Sequence, residues 1–247
     1  MKTAKKIMVV VMMCFLINCA ASDDMPLTQI RKHDVDPDST AGACDGVEFS
    51  KDGAWYAASD NHGVARIYRT SDGTYLGKAI HDFEEGSCAK SSAEINGIAF
   101  SADGLFLATG DGGDDGTKIW DATLFNETNP PTLTKALHHK VQGKETDGLD
   151  FSPNNKWLAV AADADLVIFD QQNNFDTLKV IGAETGQGAI NSVDFSSDSK
   201  YIVFSGGGDD WIYIYSTPEL SGENNWVFQY KFRTSNHESV KSVRFSP

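Results

Sequence analysis

The chain has 247 residues, with 21 Lys and Arg against 35 Asp and Glu for a net charge of −14, 40% hydrophobic residues, 22 Gly and only 7 Pro. That composition belongs to a packed globular chain and excludes a disordered tail, a collagen-like rod or a disulfide-dense scaffold. A charge this negative also argues against nucleic acid, whose phosphates are bound by clustered Lys and Arg that displace counterions.

At the N-terminus Lys2, Lys5 and Lys6 precede an unbroken apolar run over residues 7–17. The run is too short to cross about 30 Å of hydrocarbon as a helix, and its basic-then-apolar order is that of a secretory signal. Leu16-Ile17-Asn18-Cys19 resembles the cleavage motif of bacterial lipoprotein signals, with Leu three positions before the cysteine. It departs from that family at Asn18, where Gly, Ala or Ser is usual. The resemblance implies that residues 1–18 are removed, that Cys19 is lipidated and that residues 19–28 form a tether. Ala20 then resembles the outer-membrane-sorted class of such proteins. The competing reading is ordinary cleavage after Ala21, which yields a secreted chain. Either way the mature protein is expected outside the cytoplasm. Loss of three lysines with residues 1–18 moves the net charge from −14 to −17. A body so acidic is held at a membrane by its lipid alone, because anionic headgroups repel it.

With Cys14 and Cys19 assigned to the signal, Cys44 and Cys88 remain. An even pair in an oxidising compartment is a candidate disulfide, and two buried thiols are the alternative.

From Gly46 onward one motif recurs: GVEFSKDG, GIAFSADG, GLDFSPNN, SVDFSSDS and SVRFSP, with its Phe at Phe49, Phe100, Phe151, Phe195 and Phe245. Each copy opens with alternation, so Val47 and Phe49, Ile98 and Phe100, or Leu149 and Phe151 share one face of a strand. Ser-x-Asp-Gly then supplies a turn. Second strands are expected at 55–58, 105–108, 157–160 and 201–204, and third strands at 65–68, 117–120, 166–169 and 212–215. Fourth strands are expected near 76–80, 133–137, 178–181 and 227–232. Four short strands repeated about every 50 residues make a β-propeller blade, which buries both faces only when neighbours stack on it.

Asp114-Asp115-Gly116-Thr117-Lys118-Ile119-Trp120-Asp121 resembles the third-strand signature of WD-repeat propellers, including the Trp120-Asp121 pair. The segment from His237 to Pro247 is similar to the start of such a repeat. The expectation is an all-β protein, a WD40-like propeller over residues 29–247 with four blades and the first strand of a fifth. Unpaired edges would remain, so a fragment of a six- to eight-bladed ring is expected, with residues 27–32 as the closing strand. In that family a histidine before the first strand commonly bonds an Asp in a neighbouring turn, which implies a structural role for His237 and a similar one for His139.

No nucleophile, zincin or phosphate-loop motif is present, and no inward-facing metal or acid/base set is legible around a channel. No cofactor is expected. His138 and His139 point to opposite sides if they lie on a strand. Asp111 to Gly116 has a calcium-like composition, but an Asp-bearing turn recurs at the same place in every blade and a turn is the simpler reading. Those turns and the polar loops before each first strand gather at one end of the ring in WD propellers. Asp60, His62, Asp114, Asp115, Asp163, Asp209 and Asp210 are therefore expected to form an acidic face for a basic protein or peptide partner. Trp211 is its candidate anchor, with core packing as the alternative. The function expected is a non-catalytic, lipid-anchored, extracytoplasmic protein-binding scaffold. The rival is a propeller enzyme of lactonase, quinoprotein or peptidase-associated type, with its active site beyond Pro247.

Overall fold

The computed structural model describes residues 9–11, 44–81, 94–113, 116–182, 188–205, 211–221, 225–233 and 239–246. After β1 (Val9–Val11), the first sheet consists of β2 (Cys44–Phe49), β3 (Trp55–Asp60), β4 (Val64–Arg69) and β5 (Tyr75–Ile80). The second contains β6 (Ile95–Phe100), β7 (Phe106–Asp111), β8 (Thr117–Asp121) and, after the short β9 (Thr132–Leu133), β10 (His138–Lys140). The third runs through β11 (Thr146–Phe151), β12 (Trp157–Ala162), β13 (Asp165–Asp170) and β14 (Asp176–Gly182). The fourth is formed by β15 (Val193–Phe195), β16 (Tyr201–Ser205), β17 (Trp211–Ser216) and β18 (Val227–Arg233), and β19 (Val243–Phe245) follows. Within each sheet the four strands pair antiparallel in chain order. The fold is thus a β-propeller of four-stranded blades. The first strands form its inner wall, with β2 beside β6, β6 beside β11, β11 beside β15 and β15 beside β19.

The repeated serine closes each inner hairpin. Ser50, Ser101, Ser152 and Ser196 each donate a hydroxyl to the side chain two residues on, namely Asp52, Asp103, Asn154 and Asp198. The same hydroxyls accept the N–H of Trp55, Phe106, Trp157 and Tyr201. The turn needs a left-handed residue, supplied by Gly53 and Gly104 at φ 70° and 72° and by Asn155 and Ser199 at 56° and 57°.

Blades adhere face to face. Ile98, Phe100, Leu107 and Trp120 of the second blade pack on Ala57, Ala65 and Ile67 of the first. Leu149, Phe151, Leu158 and Phe169 of the third pack on Ala99, Ala108 and Ile119. Val193, Phe195, Ile202, Phe204 and Tyr213 meet Ala159, Ala161, Leu166 and Ile168. Close approach of the inner strands requires glycine at Gly148, where a Cβ would stand 2.9 Å from the Ser192 Cα. The equivalent face of the first blade carries a ladder of Phe49, Tyr56, Tyr68 and Tyr75 with successive ring centroids 5.9, 5.2 and 5.7 Å apart. There Val47 and Phe49 are 56% and 53% exposed.

One fourth-strand expectation fails, in the second blade. Residues 133–137 do not continue its sheet. Instead β9 adds in parallel to β5 of the first blade, with Lys78 opposite Thr132, while β10 pairs with β8. The cause is the long connection after β8. Phe125 and Pro131 lean over Gly77, where a Cβ would meet them at 2.7 and 2.9 Å. Val9–Val11, inside the segment expected to be cleaved, pairs antiparallel with β19. The expected closing strand at 27–32 lies outside the described residues.

Candidate binding face and central channel

Pairing of Cys44 with Asp60 and of Thr146 with Ala162 sets the start of each inner strand beside the turn between the second and third strands. At that end Asn96, Glu145, Asp147, Ala189, Asn191 and Lys241 line the channel mouth. Asn96 Nδ2 donates to Asp147 at 3.0 Å. Partial burial, and then the charges of Asp147, Asp163 and Glu94, hold the exposed Glu145 carboxyl above its usual range. The mouth gathers carboxylates whose mutual repulsion a cation would relieve.

The candidate residues distribute unevenly over this end. Asp163 is exposed at its turn, in a left-handed conformation with φ 50°. His62 is half-buried. Asp60 corrects the expectation of an exposed binding carboxylate, being wholly buried. Its Oδ1 accepts the N–H groups of His62 and Val64, both at 3.0 Å, and its Oδ2 pairs with Arg66 at 2.5 Å. A carboxylate spent on its own turn and on a buried guanidinium is unavailable to a partner. Trp211 is half-buried against the core between the third and fourth blades. Lys231 Nζ stands 4.6 Å from its ring centre and Arg233 lies 5.7 Å away. Cys19, Cys88, Asp114, Asp115, Asp209, Asp210 and His237 lie outside the described residues, so the pairing of Cys88 with Cys44 does too.

Of the repeat signature, Trp120 is buried and donates Nε1–H to Thr109 Oγ1 at 2.8 Å. That hydroxyl lies 2.6 Å from Nε2 of the buried His81. Asp121 caps the short 3-10 turn after β8, accepting the N–H of Thr123 at 3.0 Å and its hydroxyl at 2.5 Å. The histidine in this arrangement is His81, next to the end of β5. It is not His139, which is exposed on β10 beside a half-buried His138 packed 5.2 Å from Phe175. Its signal was a His directly after an outer strand and one loop before the next inner strand.

The inner wall of the channel carries titratable groups that the repeat motif holds in one register. The residue before each repeat Phe is Glu48, Ala99, Asp150, Asp194 or Arg244, and four of the five are charged. A cavity of about 200 Å³ includes Glu48, Asp147, Lys241 and Arg244 in its lining. Asp150 Oδ2 accepts the N–H of Phe195 at 2.7 Å, and its Oδ1 meets Lys51 Nζ at 3.1 Å. One repeat on, Asp194 Oδ2 accepts the N–H of Phe245 at 2.6 Å, with Arg244 Nε 3.8 Å from its Oδ1. Burial raises the carboxyls of Glu48 and Asp150, outweighing the pull of Lys51 and Arg244. Burial tends to lower Lys51, but the charge and hydrogen bond of Asp150 together with the charges of Glu48 and Asp194 outweigh it, so the ammonium is held high. Burial and then the charge of Asp150 push Asp194 up to about 7. Among the described residues no group of three or more His, Cys, Asp or Glu is placed to hold a metal ion.

The family described as WD domain, G-beta repeat, matches residues 79–121 and 177–216. Each match starts in the outer strand of one blade and ends at the third strand of the next, so a sequence repeat bridges two blades. The chain is 24% identical to Pre-mRNA-processing factor 19 homolog 2 of Arabidopsis thaliana over 180 residues, 71% of this chain and 29% of that protein. It is 27% identical to Protein HIR1 of Candida albicans over 146 residues, 56% of this chain and 14% of that protein. This chain therefore matches less than a third of the length of either relative. The blades and the two matched segments agree: residues 79–121 and 177–216 match the WD40 repeat within a β-propeller.

Proposed function

We propose that this WD40-repeat scaffold is non-catalytic and binds a basic protein or peptide segment over the acidic channel mouth, outside the cytoplasm, on a lipid anchor at Cys19. The observation that carries the binding reading is the grouping of Glu145, Asp147, Asp163 and Glu94, whose like charges add to partial burial in raising Glu145. A non-catalytic reading is supported by how the other channel carboxylates are used. Asp150 and Asp194 spend oxygens on the main chain of the next inner strand. Export rests on Lys2, Lys5 and Lys6 ahead of the apolar run.

The test uses a fluorescein-labelled peptide of alternating Lys and Gly, with a Glu-Gly peptide as control, in fluorescence anisotropy. Binding of the Lys peptide, weakened at least tenfold by Glu145→Lys with Asp147→Lys and falling with salt, is the expected result. Equal binding by the charge-reversed protein overturns the reading. For the anchor, Cys19→Ser should leave the membrane fraction; its retention there overturns lipidation.

A further inference from the structure

Strand β19 pairs with β1 on one side, and on the other it meets the fourth blade through described contacts that include an acidic one, with Asn191 Nδ2 donating to Ser239 Oγ and the Val240 carbonyl just before it. Asp194 on β15 accepts the Phe245 N–H at 2.6 Å. Ser192 Oγ takes the Val243 N–H at 3.2 Å. Val240 and Val243 cover Val203, Ile212 and Ile214. The wall around Asp194 supplies Asp150 from β11, Lys51 and Glu48 from the first blade and Arg244 from β19. Lys51 is committed to Asp150 at 3.1 Å, and the Arg244 guanidinium donates through Nη1 to Ser192 Oγ and to the carbonyls of Val193 and Val243. Arg244 reaches Asp194 only through an exposed side chain, its Nε 3.8 Å from Oδ1, and its pull is outweighed by burial and by the neighbouring Asp150 carboxyl, which lies inside the protein.

We infer that Asp194 is a proton-operated latch between the fourth blade and β19: the strand docks most firmly when this carboxyl carries its proton and opens more readily once the proton is lost. A protonated carboxyl keeps a lone-pair oxygen for the Phe245 N–H while removing a half-buried charge that faces Asp150. When β19 leaves, Asp194 gains water and regains an ordinary carboxyl affinity. The proton therefore binds more tightly in the docked state, and acid favours docking. The position of Asp194, pushed up to about 7, puts the change in the neutral range. From pH 5 to 7 the opening equilibrium of β19 then increases by up to about tenfold per pH unit and levels off above 7.

Two measurements test this on the full chain. Amide exchange at Phe245, corrected for the intrinsic pH dependence of exchange, should lose up to about 100-fold in protection between pH 5 and 7. Asp194→Asn retains an acceptor oxygen and should show no such change. Unchanged protection in the wild type, or the same loss in Asp194→Asn, overturns the latch. On the wild type alone, the side-chain carboxyl carbon of Asp194 should titrate near neutrality by NMR. A midpoint near 4 overturns the latch whatever the variant does.

Discussion

Asp150 on the third blade accepts the backbone N–H of Phe195 on the fourth at 2.7 Å, so a side chain closes a hydrogen bond between inner strands that do not share a sheet. Asp194 repeats the bond to Phe245 one blade on. Ala99, at the same register, has no carboxyl to offer. Asp150→Ala removes both the acceptor for Phe195 and the carboxylate facing Lys51, and should cost about 2–5 kcal/mol. Asp150→Asn keeps one acceptor and should cost clearly less. Urea midpoints of the two variants check the difference.

The repeat phenylalanines are identical in sequence but not in burial. Phe151 is wholly buried between the second and third blades, whereas Phe49 is 53% exposed. Phe151→Ala should cost about 3–5 kcal/mol through lost contacts and a cavity, and Phe49→Ala less than about 1 kcal/mol. Denaturant unfolding of both variants reads this directly.

Thr109 is the shared partner of Trp120 and His81. Thr109→Val preserves shape but leaves the Trp120 N–H buried with no acceptor at that place, at a cost of about 1–3 kcal/mol. Thr109→Ser keeps the hydroxyl and should recover most of the loss. Thermal unfolding followed by tryptophan fluorescence checks both.

Stability should peak on the acid side of neutrality. Glu48, Glu145, Asp150 and Asp194 are raised, chiefly by burial. A raised carboxyl binds its proton more tightly folded than unfolded. Its contribution is full below the unfolded value near about 4. It fades as pH rises towards the folded value, about 7 for Asp194. In the opposite direction, Asp52, Asp72 and Asp198 are lowered by hydrogen bonds from neighbouring groups, Asp72 to about 2, and their contribution fades as pH falls below about 4. Melting temperature should therefore be highest between about pH 4 and 6 and fall towards pH 8. Asp194→Asn should flatten part of that fall, and an unchanged slope would contradict the assignment.

The blades were legible in the sequence because each repeat encodes its own turn. Ser-x-Asp-Gly specifies a hydrogen-bonded hairpin locally, and alternation before it specifies the face. What was not legible depends on neighbours. The parallel addition of β9 to β5 follows from Phe125 and Pro131 crossing Gly77, a contact 48 and 54 residues away in the chain. The burial of Asp60 follows from Arg66 turning inward on the next strand. The charged channel could have been read by aligning the residue before each repeat Phe, since Glu48, Asp150, Asp194 and Arg244 occupy one register.

The binding account is tested most directly by asking which end of the channel meets a basic ligand. A photo-crosslinking residue placed at Ala189, on the acidic mouth, is compared with one at Leu124, which is 48% exposed beyond β8. A biotinylated Lys-Gly peptide should label the Ala189 variant in a salt-sensitive manner and leave the Leu124 variant unlabelled. Labelling at Leu124 alone, or equal labelling at both, would contradict the assignment of the acidic mouth as the binding face.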